Sequence, residues 1–99
     1  MAQIFSFPST QQHNRFDWSN YPGVPDHTRG ALERYVFDRY EPGGFLTAVL
    51  CNDLMAAIAR ADSQNIQALK DICQFIYNEI PSNAWGSPKN IANWLDNRA

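Results

Sequence analysis

The segment from Trp85 to Lys89 contains residue types that could bind a small phosphorylated ligand. Ser87 is followed by Pro88, a pair that commonly opens a helix, and the free backbone N–H groups of a helix start favour phosphate or carboxylate. Lys89 adds a positive charge, and the Trp85 ring could stack on a base or another ring. The competing interpretation is an ordinary capped helix in which Trp85 fills the core.

A second helix start, opened by Gly43 and Gly44, could hold an anion in the same way. Asn52 and Asp53 follow within the same predicted helix, where an unpaired carboxylate would be costly. Two interpretations stay open: the pair contacts a ligand or partner, or Asp53 pairs internally with an arginine. The arginines available for such a pair are Arg29, Arg34 and Arg60. The candidate ligand-binding residues are Trp85, Ser87, Lys89, Gly44, Asn52 and Arg29.

The sequence contains no recognisable catalytic or metal-binding motif. Its two histidines, His13 and His27, have no nucleophile motif such as GxSxG nearby, and neither a P-loop nor a GxGxxG pattern occurs. His27 instead fits a helix start beside Asp26. Cys51 and Cys73 lack metal-ligand spacing, so we expect two reduced core thiols, although a disulfide between helices stays open. We predict a protein that is not an enzyme and needs no metal or cofactor.

Length and composition limit the class of function further. The 99 residues suffice for one domain, and 44% hydrophobic with 13% aromatic residues predict a folded chain. Eight basic against ten acidic residues give a formal net charge of −2, a poor match to duplex nucleic acid. The chain shows neither a secretory signal nor an apolar run long enough to span a membrane, so we expect a cytoplasmic protein.

The elements that must position the candidate residues are predicted to be helical. We expect an all-α fold, a compact four-helix domain over residues 26–99 that follows an N-terminal arm over residues 1–25. The predicted helices cover 26–40, 44–61, 63–79 and 88–97. In the first helix, Arg29 with Glu33 and Arg34 with Asp38 have the i,i+4 spacing of a solvated charged face.

The second and third predicted helices differ in their patterns. Residues 42–62 read PGGFLTAVLCNDLMAAIARAD, which is apolar or small nearly all round, so we expect a buried central helix that others approach closely. The third helix is amphipathic. Its apolar face contains Ile66, Leu69, Ile72, Cys73, Ile76 and Ile80, and its polar face contains Gln64, Gln67, Lys70, Asp71 and Gln74.

The N-terminal arm mixes polar residues with large rings and aliphatic side chains. Gln3 to Phe7 alternates weakly and could form one short strand, and the rest reads as extended chain. Its rings pack either on the helices of the same chain or on a neighbouring subunit, because aromatic residues are enriched at interfaces. The arm and the small-residue central helix together lead us to expect a homo-oligomer.

Four runs in combination resemble a group of short proteins encoded by tailed bacteriophages and prophages, most without an assigned function. The runs are PxHTxxALxxYV from Pro25 to Val36, PGGFLTAVLCNDL from Pro42 to Leu54, ARAD from Ala59 to Asp62, and YNEIPSNAWGSPKNIANWL from Tyr77 to Leu95. The resemblance covers roughly residues 24–95 and excludes most of the arm. It implies a phage context and assigns no activity to any residue.

The phage context favours a role in countering bacterial defence. Small non-enzymatic phage proteins often bind CRISPR effectors, or act as sponges for nucleotide-derived immune signals in anti-CBASS and anti-Thoeris systems. Our leading hypothesis is therefore a sponge in the host cytoplasm that stacks its ligand on Trp85. Phosphate would bind at Ser87, Lys89 and the Gly44 helix start. The alternatives are a protein-binding inhibitor of a host defence factor, resembling an anti-CRISPR, and a phage accessory or structural protein.

The charge balance generates a prediction about nucleic acid. With no basic run in the sequence, we expect no appreciable binding to duplex DNA at physiological salt. Fluorescence anisotropy with a labelled duplex measures this directly. Sub-micromolar binding that weakens with salt would contradict the prediction.

Overall fold

The computed structural model describes residues 15–97, and every regular element in that range is helical. The predicted strand from Gln3 to Phe7, and His13, lie outside these residues. The all-α prediction is confirmed, but there are six helices rather than four, because two of the predicted helices are interrupted. The helices are α1 (Asp26–Asp38), α2 (Gly44–Leu50), α3 (Leu54–Arg60), α4 (Ser63–Gln67), α5 (Leu69–Glu79) and α6 (Pro88–Asp96), with a 3-10 turn at Ser82–Ala84.

The predicted helix 44–61 is interrupted at Asn52 and Asp53. Asn52 adopts the left-handed conformation, with φ at 68°, and the backbone N–H groups of Asn52 and Asp53 donate to the carbonyls of Val49 and Ala48. This is a Schellman end to α2, and asparagine is one of the few residues that tolerates it. The Asp53 carboxylate then accepts the Ala56 N–H at 3.2 Å and caps α3. The prediction of a mid-helix polar pair was therefore wrong.

The second half of the predicted central helix lies on the surface. Leu54, Met55 and Ile58 of α3 are 58%, 75% and 43% exposed, and Ala57 is its one buried residue. The prediction of a buried helix was wrong here because the left-handed Asn52 ends α2, so α3 does not continue its buried face. The deepest core positions are instead fully buried residues of α1, α2 and α5, namely Leu32, Tyr35, Leu50, Ile72 and Phe75.

The other predicted helix boundaries shift only slightly. Ala68 interrupts the predicted helix 63–79, and the Asp62 carboxylate caps the first piece by accepting the Asn65 N–H at 2.7 Å. Helix α1 ends at Asp38 rather than residue 40, because Arg39 takes a left-handed φ of 61°. Helix α6 ends at Asp96 rather than residue 97.

A buried carboxylate ties the described part of the arm to the helices. Glu33 is 2% exposed, and its Oε2 accepts the Trp18 indole N–H at 2.8 Å and the Phe16 backbone N–H at 3.2 Å. The Trp18 ring stacks on Phe75 with centroids 4.0 Å apart. Residues 15–25 thus pack on their own chain. The predicted solvated pair of Glu33 with Arg29 was wrong.

Two further polar contacts hold the described part of the arm, residues 15–25, against the helices. Arg15 forms two hydrogen bonds to Asp38, at 2.8 and 3.1 Å, so Asp38 pairs with the arm rather than with Arg34. The hydrogen bond from Arg15 lowers the pKa of Asp38 below its ordinary value. Tyr21 donates its hydroxyl hydrogen to Glu79 at 2.8 Å. The arm therefore contacts α1 and α5 together.

Both cysteines are free thiols. Cys51 is half-buried, whereas Cys73 is exposed on α5. The prediction of reduced thiols is confirmed. The placement of Cys73 in the core was wrong, because Cys73 lies on the exposed side of α5 with Gln74 and Tyr77. Burial still raises the pKa of both thiols.

Removing the Glu33 carboxylate tests its role in holding the arm. We expect Glu33→Ala to lower the free energy of unfolding by about 2–4 kcal/mol, because the buried Trp18 indole N–H and the half-buried Phe16 backbone N–H lose their acceptor. The control is Glu41→Ala, an exposed carboxylate, with an expected change within about 0.5 kcal/mol. Urea denaturation followed by tryptophan fluorescence measures both variants. Equal effects of the two substitutions would contradict this role.

Candidate functional site

A groove lies between the loop Pro22–Pro25, helix α4 and the first turn of α5. This loop–α5 groove has a volume of about 700 Å³, within the range of small-molecule sites. Its lining is polar apart from the loop and Ala68. The charged and carboxamide side chains that line it are Asp26, Arg29, Gln64, Gln67, Lys70 and Asp71.

Arg29 is the one residue of the predicted ligand set that lines this groove. Its Nε donates to the Val24 carbonyl at 2.9 Å, and its Nη2 donates to the carbonyls of Tyr21 and Pro22 at 3.4 and 3.2 Å. The guanidinium also lies over the Trp18 ring, 5.4 Å from its centroid. These contacts hold the cation in place, while Nη1 has no hydrogen-bond acceptor among residues 15–97.

The groove carries charges of both signs. Lys70 is exposed, and Asp71 follows it on α5 beside Gly23, whose missing side chain makes room for the Asp71 carboxylate. Asp26 adds a second carboxylate. With two cations and two carboxylates, the groove is not a basic pocket. It suits a polar ligand that presents both phosphate and hydroxyl groups.

The backbone around Trp85 is fixed by three hydrogen bonds, two of them to residues distant in the sequence. The carbonyl of Ala84 accepts the Tyr35 hydroxyl hydrogen at 2.7 Å, and the carbonyl of Trp85 accepts a hydrogen from Asn90 at 2.8 Å. The Gly86 N–H donates to the carbonyl of Leu50 at 2.6 Å. This segment is therefore part of the framework, and opening it for a ligand would break these bonds.

The Trp85 ring is half-buried against the core. Its outer neighbour is Tyr77, with ring centroids 6.0 Å apart in an edge-on arrangement. The indole N–H is buried and has no acceptor among residues 15–97. An unpaired buried donor carries a free-energy cost, and a ligand or solvent atom could relieve it.

Ser87 and Lys89 flank Trp85 but have different surroundings. The Ser87 hydroxyl accepts the Asn90 N–H at 3.1 Å, so it already caps α6. Lys89 is exposed one residue into that helix. Ser87 and Lys89 lie near Trp85 because they follow it closely in the sequence. None of the three residues lines the loop–α5 groove.

Gly44 and Asn52 lie neither in the loop–α5 groove nor beside Trp85. Gly44 opens the seven-residue helix α2, where the Arg60 side chain approaches it, and it lines a cavity of about 160 Å³ beside His27. Asn52 lines a small cleft of about 60 Å³ with Cys73. The six predicted ligand residues are thus distributed over several surfaces, and only Trp85, Ser87 and Lys89 remain neighbours.

His27 contacts a carboxylate but no hydroxyl nucleophile. Its Nε2 lies 3.1 Å from Asp62, which links the first turn of α1 to the cap of α4. Thr28, the adjacent hydroxyl, is buried and donates to Asn65 at 2.5 Å instead. The Asn65 N–H, with His27 as a smaller cause, lowers the pKa of Asp62. His27 therefore forms a structural contact at a helix start.

Sequence reasoning missed most of the residues that line the groove. Gln64, Gln67, Lys70 and Asp71 appeared only as the polar face of an amphipathic helix. Nothing in their spacing indicates that the loop Pro22–Pro25 lies against them. The available signal was the Pro-Gly-Val-Pro turn before α1, which must lie close to some helix face.

Comparison of the chain with protein-family models, with curated proteins and with solved structures found no match. Within residues 15–97, no group of three or more His, Cys, Asp or Glu side chains could hold a metal ion. No helix in that range has the length and apolar character needed to cross a membrane. The function has to be inferred from the chain itself.

The hydroxyl that holds the Trp85 segment generates a prediction at alkaline pH. Tyr35 is fully buried, and burial raises its pKa to about 12, while the unfolded side chain ionises near 10. The fold therefore favours the neutral phenol. This stabilisation is complete below about pH 10 and is lost as the pH rises towards 12.

We expect the free energy of unfolding to fall between pH 10 and pH 12, and to fall less in Tyr35→Phe. The variant starts from a lower value at neutral pH, since it lacks the hydrogen bond to Ala84. Urea denaturation at a series of pH values measures the slope. The control is Tyr40→Phe, which removes an exposed hydroxyl. Parallel curves for wild type and Tyr35→Phe would contradict the prediction.

Proposed function

We propose that this protein is a non-enzymatic binding protein that sequesters a small nucleotide-derived molecule in the loop–α5 groove. The observation that carries the proposal is the Arg29 guanidinium, which three backbone carbonyls hold at the wall of a groove of about 700 Å³. A cation fixed before binding loses little conformational freedom when it meets a phosphate.

The remaining side chains of the groove match the other parts of a nucleotide. Lys70 offers a second cation for phosphate, and Asp71 and Asp26 offer carboxylates that accept hydrogen bonds from ribose hydroxyls. Gln64 and Gln67 carry both donors and acceptors that suit the polar edge of a base. The mixed charge of the groove therefore supports a ligand with free ribose hydroxyls as well as phosphate.

Trp85 with Ser87 and Lys89 is the rival location for the same ligand. The unpaired indole N–H of Trp85 supports it, and the capping role of Ser87 counts against it. Because the two places share no residue, substitutions separate them. Gly44 and Asn52 lie at neither place, so we assign them no ligand contact in this proposal.

The proposed biological role is phage counter-defence in the host cytoplasm. Its support is the resemblance of residues 24–95 to short phage proteins, together with a groove that could retain a signal molecule. Sequestration rather than catalysis is proposed because His27 contacts Asp62 while the adjacent hydroxyl of Thr28 donates to Asn65.

A second candidate function is inhibition of a host defence protein by direct contact. It is favoured by exposed aromatic side chains at the end of α1, where Phe37 and Tyr40 are 45% and 55% exposed. Exposed aromatic residues are enriched where proteins bind each other. This candidate requires no small ligand, so a binding assay distinguishes it from sequestration.

Calorimetry against a panel of cyclic oligonucleotides and ADP-ribose-derived molecules tests sequestration. We expect at least one panel member to bind with a dissociation constant below about 10 µM. Lys70→Ala should weaken that binding about tenfold, because it removes a charge-assisted hydrogen bond to phosphate. The matched control is Lys89→Ala, which removes the same exposed charge at the rival location.

The two lysine variants give opposite results for the two locations. Loss of binding in Lys89→Ala with unchanged binding in Lys70→Ala would transfer the site to the Trp85 segment. Recovery of the bound molecule chemically intact after heat release supports sequestration, and its conversion to a product contradicts it. If no panel member binds, the protein-inhibitor function becomes the better account.

A further inference from the structure

A second concave surface lies beside helix α6 and is lined mainly by carboxamide side chains. This α6 pocket has a volume of about 440 Å³, within the range of small-molecule sites. Asparagines form most of its wall, together with one tryptophan and one carboxylate. The lining residues are Asn83, Asn90, Asn93, Trp94, Asp96 and Asn97. None of them lines the loop–α5 groove.

The asparagines of α6 form a row on one side of the helix. Asn90, Asn93 and Asn97 have the i, i+3, i+7 spacing that places side chains on the same face. Trp94 follows Asn90 by four residues, so it lies at the edge of this row. Asn83 is contributed by the 3-10 turn before α6. The pocket therefore combines a row of carboxamides with an aromatic ring.

Most of these carboxamides are free to bind a ligand. Within residues 15–97, Asn90 is the one member of the row whose carboxamide forms a hydrogen bond, from Nδ2 to the Trp85 carbonyl at 2.8 Å. Asn93 and Asn97 are exposed, and each carboxamide offers both donors and acceptors. Asparagine is also a poorer helix former than lysine, glutamate or glutamine. Asn93 therefore weakens α6 slightly and gains no contact within the helix in return.

Trp94 is held in place by contacts on one ring face and on its edge. The Arg39 guanidinium lies over the ring, 3.6 Å from its centroid, and Nη1 of Arg39 donates to the Trp94 carbonyl at 3.0 Å. The indole N–H donates to the Tyr35 carbonyl at 3.0 Å. Arg39 makes these contacts from a left-handed backbone conformation, with φ at 61°, that favours glycine. A ring fixed in this way loses little conformational freedom when a ligand packs against it.

The lining of the α6 pocket matches a neutral ligand rich in hydroxyl groups. A carboxamide carries both a donor and an acceptor, as a hydroxyl does, so a row of carboxamides complements a series of hydroxyls. Among residues 15–97, Asp96 is the one charged side chain in the lining, and its two oxygens can accept from neighbouring hydroxyls. The Trp94 ring offers an apolar surface for the C–H groups of a sugar ring. Since no cation of the described chain lines the pocket, phosphate is a poor match.

An extended peptide is the rival ligand, because its backbone also presents donors and acceptors. The row from Asn90 to Asn97 is about 10 Å long, given a rise of about 1.5 Å per residue. That length covers about three residues of extended peptide, which leaves few backbone groups to bind. A sugar ring presents hydroxyls on adjacent carbons, so a small saccharide offers more polar groups over the same distance. The pocket therefore favours a saccharide over a peptide.

We propose that the α6 pocket binds a small neutral saccharide. The sugar ring packs on Trp94, the carboxamides of Asn93 and Asn97 bind its hydroxyls, and Asp96 accepts from a pair of them. Asn83 contributes a further carboxamide from the 3-10 turn. The proposal is independent of sequestration in the loop–α5 groove, since the two places share no residue.

NMR spectroscopy of isotope-labelled protein tests the proposal, because side-chain amide and indole signals report on the pocket wall directly. The probes are neutral sugars, namely glucose, galactose, mannose, N-acetylglucosamine, maltose, lactose and chitobiose. We expect at least one of them to shift the carboxamide signals of Asn93 and Asn97 and the indole signal of Trp94, with a dissociation constant of about 1 mM or below. Adenosine monophosphate at the same concentration should leave these signals unchanged.

Asn93→Ala separates a ligand contact from a structural role. We expect it to weaken saccharide binding about fivefold, because a hydrogen-bonding partner of the sugar is lost. The variant should melt at or above the wild-type temperature, since alanine is the better helix former. The matched control is Gln74→Ala, which removes an exposed carboxamide from α5 and should leave binding unchanged.

Three outcomes would overturn the saccharide site. The first is the lack of any saturable shift at Asn93, Asn97 and Trp94 with all of the sugars. The second is equal saccharide binding by wild type and a folded Asn93→Ala variant. The third is a shift caused by a neutral tripeptide amide or by adenosine monophosphate but by no sugar, which would assign the pocket to that ligand instead. None of these results bears on the loop–α5 groove, whose binding is followed through Lys70.

Discussion

The buried carboxylate of Glu33 is the contact on which the rest of this small structure depends. It accepts hydrogen bonds from the Trp18 indole and the Phe16 backbone, which positions Trp18 for its stack on Phe75. A buried acceptor of this kind is satisfied only while both donors stay in place. Trp18 is therefore part of the core, and α1 and α5 pack around a ring that belongs to neither of them.

The position of Glu33 also determines what Arg29 can do. Since Glu33 points to Trp18, it does not pair with Arg29, which instead binds the loop carbonyls of Tyr21, Pro22 and Val24. Those bonds shape the loop, and the loop forms one wall of the groove. The proposed ligand site is thus a consequence of how the arm is anchored.

A second constraint acts at the junction between α2 and α3. The left-handed Asn52 ends one helix, and Asp53 caps the next, so a continuous apolar run becomes two short helices. One of them packs into the core, and the other exposes Leu54, Met55 and Ile58. Asn52 and Ser87, which the sequence suggested as ligand contacts, have structural roles instead. Asn52 ends α2, and Ser87 caps α6.

The sequence by itself determined the features that depend on neighbours along the chain. Helical periodicity and the Ser87–Pro88 helix start predicted an all-α protein and most helix boundaries, because these signals act within one or two turns. Only the tertiary structure decided that Glu33 is buried and that the polar face of α5 lines a groove. Those outcomes depend on contacts such as Glu33 with Trp18, where a side chain selects one partner among several that local spacing allows equally. Spacing along the helix suggested Arg29 as the partner of Glu33. Glu33 instead binds Trp18, because the indole N–H needs an acceptor once the ring is buried.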